Sequence, residues 1–246
     1  MKLVIKLVGV SPLEALRIVE KAIEARSELE APEFDLIVLK GEENLRRELR
    51  EYWTPESSGF YALHIATDKP VVLVRADSPE DLLEASIYHE IGHVKLHGSR
   101  KFYEITIPSY FLPLGSIAPK VLYLLSIAVK DFEVSKLLSA KDLTLTQIPL
   151  IRIMLEPEPV LSVDPDSLAL ELASNLKRVF FLIPLIGIEA TLRGMSDLPC
   201  SFLQWAADLS YSLGSDTIEN VKLVARAFTE YLMSLRLFWY SIKTGT

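Results

Sequence analysis

Hydrophobic and polar positions alternate along the first hundred residues so that strands and helices are predicted in turn. Short apolar or alternating runs predict strands. Longer runs with apolar residues three and four positions apart, preceded by a capping residue and a proline, predict helices. The predicted strands cover residues 1–7, 34–39, 60–65 and 70–75, and the predicted helices cover 12–29, 42–52 and 79–97.

Two of these helices start with the same capping pattern. Residues 11–14 and residues 78–81 each give an N-cap serine, a proline at the first helical position and an acid three residues after the cap. In the first helix we expect an inward apolar face formed by Leu13, Leu16, Ala22 and Ile23.

After about residue 104 the pattern becomes mainly helical. Three prolines fall in a stretch at 104–120 that is rich in Tyr, Phe and Leu, and its length suits a lid or a substrate wall. A second proline-rich, irregular stretch covers 149–165. The predicted helices cover about 121–139, 166–193 with a bend near Pro184, 199–213 and 216–242.

Composition and charge narrow the class of protein. Half of the 246 residues are hydrophobic and 24% are charged, which is typical of a globular chain. The net charge of −7, together with the lack of a run of lysines or arginines, argues against nucleic-acid binding. The single cysteine, Cys200, excludes an internal disulfide framework and favours a reducing, cytoplasmic location.

Hydropathy bears on membrane contact. We expect no transmembrane segment, because no uninterrupted apolar stretch reaches roughly 18 residues. The mean hydropathy of +0.26 is nevertheless high and leaves room for a homo-oligomeric or membrane-surface contact. Scarce Asn, Gln, Cys and His beside plentiful Glu, Lys and Arg are typical of thermophiles.

The segment His89-Glu90-Ile91-Gly92-His93 is the clearest candidate chemistry. Two histidines four residues apart on a helix point the same way and can bind one zinc ion, Zn2+. The glutamate beside the first histidine is then placed to act as general base on a zinc-bound water. His89 and His93 are therefore the predicted metal ligands, and Glu90 is the predicted catalytic residue.

A catalytic zinc site usually has three protein ligands, and two acids compete for the third position. Asp131 lies on an otherwise apolar helix face, where an acid is costly unless a cation compensates it. Glu133 shares a face with Lys130 and Lys136, which we expect to be solvated, although its longer side chain could reach the site in another register. Asp131 is the preferred third ligand and Glu133 the alternative.

The chain contains two further histidines, His97 and His64. His97 follows His93 by one turn, and three successive turns span about 12 Å, which is too far for one tetrahedral ion. His97 is therefore predicted to support the site rather than bind the metal. His64, on a predicted strand, is expected to be structural, with a role beside the substrate as the alternative.

The stretch 89–97 resembles the zinc helix of the zincin metallopeptidases, and within these it is most similar to the small gluzincin-like group, the minigluzincins. In that group the third ligand comes from a later helix, with Asp or Asn four residues beyond it, and residues 131–135 have a similar layout. The resemblance implies Asp131 as ligand, although that family usually has Glu, and Ser135 as its supporting residue. It covers roughly residues 58–140.

The resemblance and the pattern together predict an α+β fold. An N-terminal mixed α/β lobe, with a zincin-like active-site helix and an edge strand over the cleft, would precede a mainly helical C-terminal lobe. The predicted domains are 1–140, the metallopeptidase domain, and 141–246, the helical lobe.

The expected function is that of a zinc metallopeptidase that hydrolyses a peptide or protein substrate. Tyr103, Tyr110 and His64 are candidates to meet the oxyanion of the reaction. The alternative is a zincin-derived binding or regulatory module with structural zinc and little proteolytic activity. A third interpretation treats the motif as incidental polar residues that bind no metal.

Overall fold

A computed structural model of the chain describes residues 3–50, 59–104, 106–158, 162 and 164–244. Parts of the predicted strand 1–7, of the predicted helix 42–52 and of the stretch 149–165 lie outside these residues. The strands are β1 (Val4–Val8), β2 (Asp35–Leu39), β3 (Ala62–Ile65) and β4 (Val71–Arg75). The helices are α1 (Pro12–Glu28), α2 (Glu42–Leu49), α3 (Glu80–His97), α4 (Ala118–Ala140), α5 (Ile148–Met154), α6 (Pro165–Ile186), α7 (Ile188–Gly194), α8 (Cys200–Ser210) and α9 (Thr217–Thr244).

The four strands form one sheet in the order β1-β2-β4-β3. β1, β2 and β4 are parallel, whereas β3 pairs antiparallel with β4 as a hairpin. The parallel pair β1–β2 is connected by α1, as a parallel connection requires. This small mixed sheet in a mainly helical chain is consistent with the predicted α+β class.

The two faces of the sheet have different neighbours. On one face α2 packs through Leu45 and Leu49 in a cluster that includes Leu63 and Ile65 of β3. Side chains alternate along a strand, so the other two residues of β3 face the opposite side, where α3 packs. The edge strand β3 and the helix α3 are therefore direct neighbours.

Helix α1 starts as predicted, with a complete capping box. Ser11 Oγ accepts from the backbone N–H of Glu14, and the Glu14 carboxylate accepts from the backbone N–H of Ser11. Pro12 is its first residue. The capping pattern therefore located this helix correctly.

The predicted inward face of α1 is wrong in three of its four residues. Leu13, Leu16 and Ile23 are exposed, and only Ala22 is buried as expected. The buried face consists instead mainly of Ala15, Ile18, Ala22 and Ala25. These are mostly small side chains, which let the helix approach α3 closely.

Other boundaries also differ from the prediction. Helix α3 begins at Glu80, and the Oγ of Ser78, the predicted cap, has no hydrogen-bond partner among the described residues. Ser109–Ile117 forms 3-10 turns rather than a loop, and α5 lies where an irregular stretch was expected. The stretch 166–193, predicted as one helix bent near Pro184, forms two helices that are separated at Gly187, whose φ of 81° suits glycine.

The chain divides into two compact units that are discontinuous in sequence. The first contains Met1–Tyr103 and Val134–Ile153, and the second contains Glu104–Glu133 and Met154–Thr246. Helix α4 contributes residues to both units. The predicted domains 1–140 and 141–246 stay a prediction about which parts fold independently.

One helical stretch of the described residues, 109–140, is long and apolar enough to cross a membrane by length and composition alone. A core helix of a soluble protein passes the same test, and 44% of the apolar window is buried. Lys130 and Asp131 lie in the stretch, and both are buried. The expectation that no segment spans a membrane stays a prediction.

Candidate metal centre

Helix α3 carries both histidines of the motif on its buried side. It packs against β3, β4 and α1. His89 and His93 lie one turn apart, and each is only 8% exposed. Burying an imidazole nitrogen without a polar partner costs free energy. The polar contacts of these two rings therefore indicate which ligands the site can bind.

The two rings meet through their Nε2 atoms. The distance from His89 Nε2 to His93 Nε2 is 3.1 Å, and the ring planes are inclined by 81°. Two nitrogens bound at about 2.0 Å to one tetrahedral ion lie about 3.3 Å apart. The histidine pair is therefore already spaced as two ligands of one ion are.

Asp131 of α4 completes the group. One ligand atom from each of His89, His93 and Asp131 can be chosen so that all three lie within 4.8 Å of one another. Asp131 is 4% exposed. Two imidazole nitrogens and one carboxylate oxygen are donor atoms that bind divalent metal ions in proteins. This buried group could therefore bind a metal ion.

Gly92 lies at a close approach between α3 and α4. A Cβ atom at this position would be 2.7 Å from Val134 Cγ1. Val134 follows Asp131 by one turn on the same unbroken helix. The glycine inside the motif therefore permits α3 and α4 to approach closely at Val134.

Lys177 of α6 lies near the carboxylate of Asp131. The distance from Lys177 Nζ to Asp131 Oδ2 is 3.8 Å. A buried carboxylate needs a compensating positive charge, and Lys177 contributes one. No sequence pattern indicates this contact, because Lys177 is distant along the chain and belongs to another helix.

Glu133, the alternative third ligand, has other partners. Its Oε2 accepts from Thr217 Oγ1 and its Oε1 accepts from Asn220 Nδ2, both at 2.7 Å. These contacts hold the carboxylate at the start of α9. The metal-ligand group found among the described residues contains Asp131 and not Glu133, so the geometry favours Asp131.

Lys130 is not on a solvated face, contrary to expectation. Its side chain is buried, with 2% exposed, whereas Lys136 is exposed as predicted. Burial lowers the pKa of Lys130 to about 8, although the charges of Asp131 and Glu133 act in the opposite direction. The helix segment around Asp131 is therefore more buried than the charged residues Lys130 and Glu133 on either side of it predict.

Glu90 is partly buried and is held by the backbone of β3. Its Oε2 accepts a hydrogen bond of 2.8 Å from the N–H of His64. This contact directs the carboxylate toward the edge strand. Glu90 follows His89 in sequence, so the predicted base lies beside the candidate metal ligands and the strand together.

His97 contacts a candidate ligand from behind. Its Nδ1 lies 3.1 Å from Nδ1 of His93, and its side chain is fully buried. When His93 binds a metal through Nε2, its Nδ1 carries the proton and donates to His97 Nδ1. The geometry therefore supports the predicted supporting role of His97.

Ser135 is the residue that the family resemblance implies as a support for the site. It is fully buried, one turn after Asp131, but its Oγ has no hydrogen-bond partner within the described part of the chain. The contact to a ligand histidine comes from His97 instead.

His64 is a second histidine that contacts His93, beside His97. Its ring stacks on that of His93 with an inclination of 8° and a centroid distance of 6.1 Å. Its Nδ1 lies 3.1 Å from Tyr103 Oη. All four histidines of the chain are therefore contiguous.

The two tyrosines considered as oxyanion donors differ in placement. Tyr103 contacts His64 and is 41% exposed. Tyr110 donates through its hydroxyl to the carbonyl oxygen of Lys222. Tyr103 is thus the tyrosine that shares an environment with the histidine group.

The chain matches no model of a protein family, no curated protein and no solved structure.

Proposed function

We propose that this chain is a metal-dependent peptidase in which His89, His93 and Asp131 bind zinc and Glu90 is the general base. The observation that supports the proposal is the buried group of these three ligands, with Glu90 next to the first of them. Two imidazoles and one carboxylate as ligands, with a second carboxylate beside them as base, are an arrangement typical of metal-assisted hydrolysis.

Zinc is the proposed ion because its coordination preferences fit the donor set and the 3.1 Å spacing of the imidazole nitrogens. When bound, zinc supplies a Lewis acid that polarises a carbonyl and lowers the pKa of a coordinated water.

The residues of the chain carry out the remaining steps. Glu90 removes a proton from the attacking water and later delivers it to the leaving amine. His97 accepts a hydrogen bond from His93 Nδ1, which keeps the proton there and the Nε2 lone pair available. The edge strand β3 lies beside α3, and an extended peptide can pair with such an edge.

The test combines metal content with peptide hydrolysis. Purified wild-type protein should hold one zinc ion per chain and cleave a broad peptide library, and a chelator should abolish that cleavage. Glu90→Gln should retain zinc and lose about 10²–10⁴-fold in rate, since it removes general-base catalysis. Glu84→Gln, a change to a partly exposed acid on the same helix, is the matched control and should cleave normally.

The third ligand is tested in the same assay. Asp131→Asn should lose zinc, and Glu133→Gln should keep it. Stoichiometric zinc without chelator-sensitive cleavage would instead identify a binding or regulatory module with structural zinc. Wild-type rates in Glu90→Gln would refute the catalytic mechanism.

A further inference from the structure

β3 forms one outer edge of the sheet, so half of its backbone groups point away from β4. The backbone N–H of Arg75 donates to the carbonyl of Tyr61, which makes these two residues a hydrogen-bonded pair. Hydrogen-bonded and non-bonded pairs alternate along antiparallel strands. By this register, Ala62 and His64 direct their N–H and C=O groups outward. This row is where an extended peptide adds to a sheet.

The outward N–H of His64 already donates to a carboxylate. Its acceptor is Glu90 Oε2, at 2.8 Å. A peptide strand paired with β3 would place a carbonyl oxygen on the same hydrogen. One backbone N–H has a single proton to donate, so the peptide and Glu90 compete for it.

We infer that the main-chain N–H of His64 passes from Glu90 to the peptide when a substrate docks. Before docking, the strand holds the carboxylate of Glu90. Docking transfers the hydrogen bond to a peptide carbonyl, and the released carboxylate turns to the water that it deprotonates. The site thus becomes competent only with a substrate paired to β3.

This inference rests on the proposed function and specifies its substrate class. The substrate is an extended peptide segment long enough to pair with both Ala62 and His64. A blocked dipeptide that does not reach the outer residues of β3 leaves Glu90 in place and is a poor substrate. The site would therefore select substrates by their length through the backbone N–H of His64, without a pocket for a substrate side chain.

Two substitutions at one position separate the N–H from the ring. His64→Ala keeps the backbone N–H and removes the imidazole, whereas His64→Pro removes both, and proline is tolerated at outward-facing edge positions. In the zinc-loaded protein, His64→Pro should cleave a blocked dipeptide about tenfold faster than His64→Ala, because a charge-assisted hydrogen bond no longer holds Glu90. Cleavage of oxidised insulin B chain should fall. A dipeptide rate no higher in His64→Pro overturns the inference.

A binding measurement does not depend on activity, and its main comparison, Glu90→Ala with wild type, does not need the proline variant. With zinc removed, Glu90→Ala should bind oxidised insulin B chain about tenfold more tightly than wild type, since the N–H of His64 has lost its competitor. His64→Pro introduced into Glu90→Ala should cancel this gain, and Glu84→Ala should leave the affinity at the wild-type value.

The outcomes distinguish the inference from the proposed function. Unchanged or undetectable peptide binding in Glu90→Ala overturns the transfer of the hydrogen bond, even when the zinc-loaded wild type hydrolyses peptides. Tighter binding in Glu90→Ala with no hydrolysis by the zinc-loaded wild type supports the shared N–H and refutes the peptidase.

Discussion

Lys130 is a buried cation that directly precedes Asp131 in the chain. A lysine near two acids is typical of a solvated helix face, and the sequence predicts that location. The structure instead buries the amine and lowers its pKa to about 8. Its charge therefore opposes folding at neutral pH.

The pH dependence of stability tests this burial. The folded pKa of about 8 lies below the ordinary 10.5, so between these values the unfolded chain binds more protons at Lys130, and stability rises with pH. Lys130→Met should stabilise the metal-free chain at pH 7 by at most about 3 kcal/mol. This gain should disappear near pH 10.5.

Chemical denaturation between pH 7 and 10.5 measures the difference between the two proteins. Lys136→Met, a change to an exposed lysine on the same helix, should shift stability by less than about 0.5 kcal/mol. A gain in Lys130→Met that stays constant across the range would contradict the lowered pKa.

The single residues of the site could be predicted to different degrees. His89, Glu90 and His93 follow from spacing alone, and Asp131 follows from the cost of an acid on an apolar face. The contacts of Lys177 with Asp131 and of the His64 N–H with Glu90 join distant parts of the chain. No local pattern indicates such contacts, because they depend on tertiary packing.

At the scale of elements, the spacing of α3 and α4 depends on the absence of a side chain at Gly92. Gly92→Ala would force a methyl group to within 2.7 Å of Val134 Cγ1. We expect a net destabilisation of about 1–3 kcal/mol from overpacking, against which the better helix propensity of alanine gains roughly 1 kcal/mol at most. Zinc affinity should fall as well, because the helices that carry the ligands move apart.

Val134→Ala is the matched second substitution, since it removes the methyl group that Gly92→Ala meets. The double variant should be more stable than the sum of the two single changes predicts, and it should recover zinc affinity. Denaturation and competition with a chromogenic chelator measure both quantities. Strict additivity would show that the contact does not limit the helix spacing.

Elements with strong patterns could be predicted well, and ambiguous ones could not. The strands β2 and β4 and the start of α1 agree with the prediction to within about one residue. The inward face of α1 was wrong because the helix has two apolar faces, and periodicity cannot select the one with smaller side chains. Helix α5 and the turns at 109–117 were missed because their prolines indicated irregular chain.

At the scale of the whole molecule, the candidate ligands come from helices that are distant in sequence. A metal ion would therefore bind the folded chain and have little affinity for the unfolded one. Zinc at about a thousand times its dissociation constant should stabilise the chain by about 4 kcal/mol. Thermal unfolding with zinc and with a chelator measures this difference.

Two variants sharpen the measurement of zinc-dependent stability. Asp131→Asn should show no response to zinc, because a ligand is lost. Glu133→Gln should keep the response even if its baseline stability is lower, since its carboxylate binds Thr217 and Asn220. An unchanged unfolding temperature of the wild type with and without zinc would refute the metal site.

The four imidazoles of the chain form a single contiguous group, and this has a practical consequence. Every imidazole resonance in a nitrogen-15 spectrum of the protein originates within that group. Tautomer, metal occupancy and ligand arrival can therefore be read in one experiment, without isotope editing and without background from histidines elsewhere.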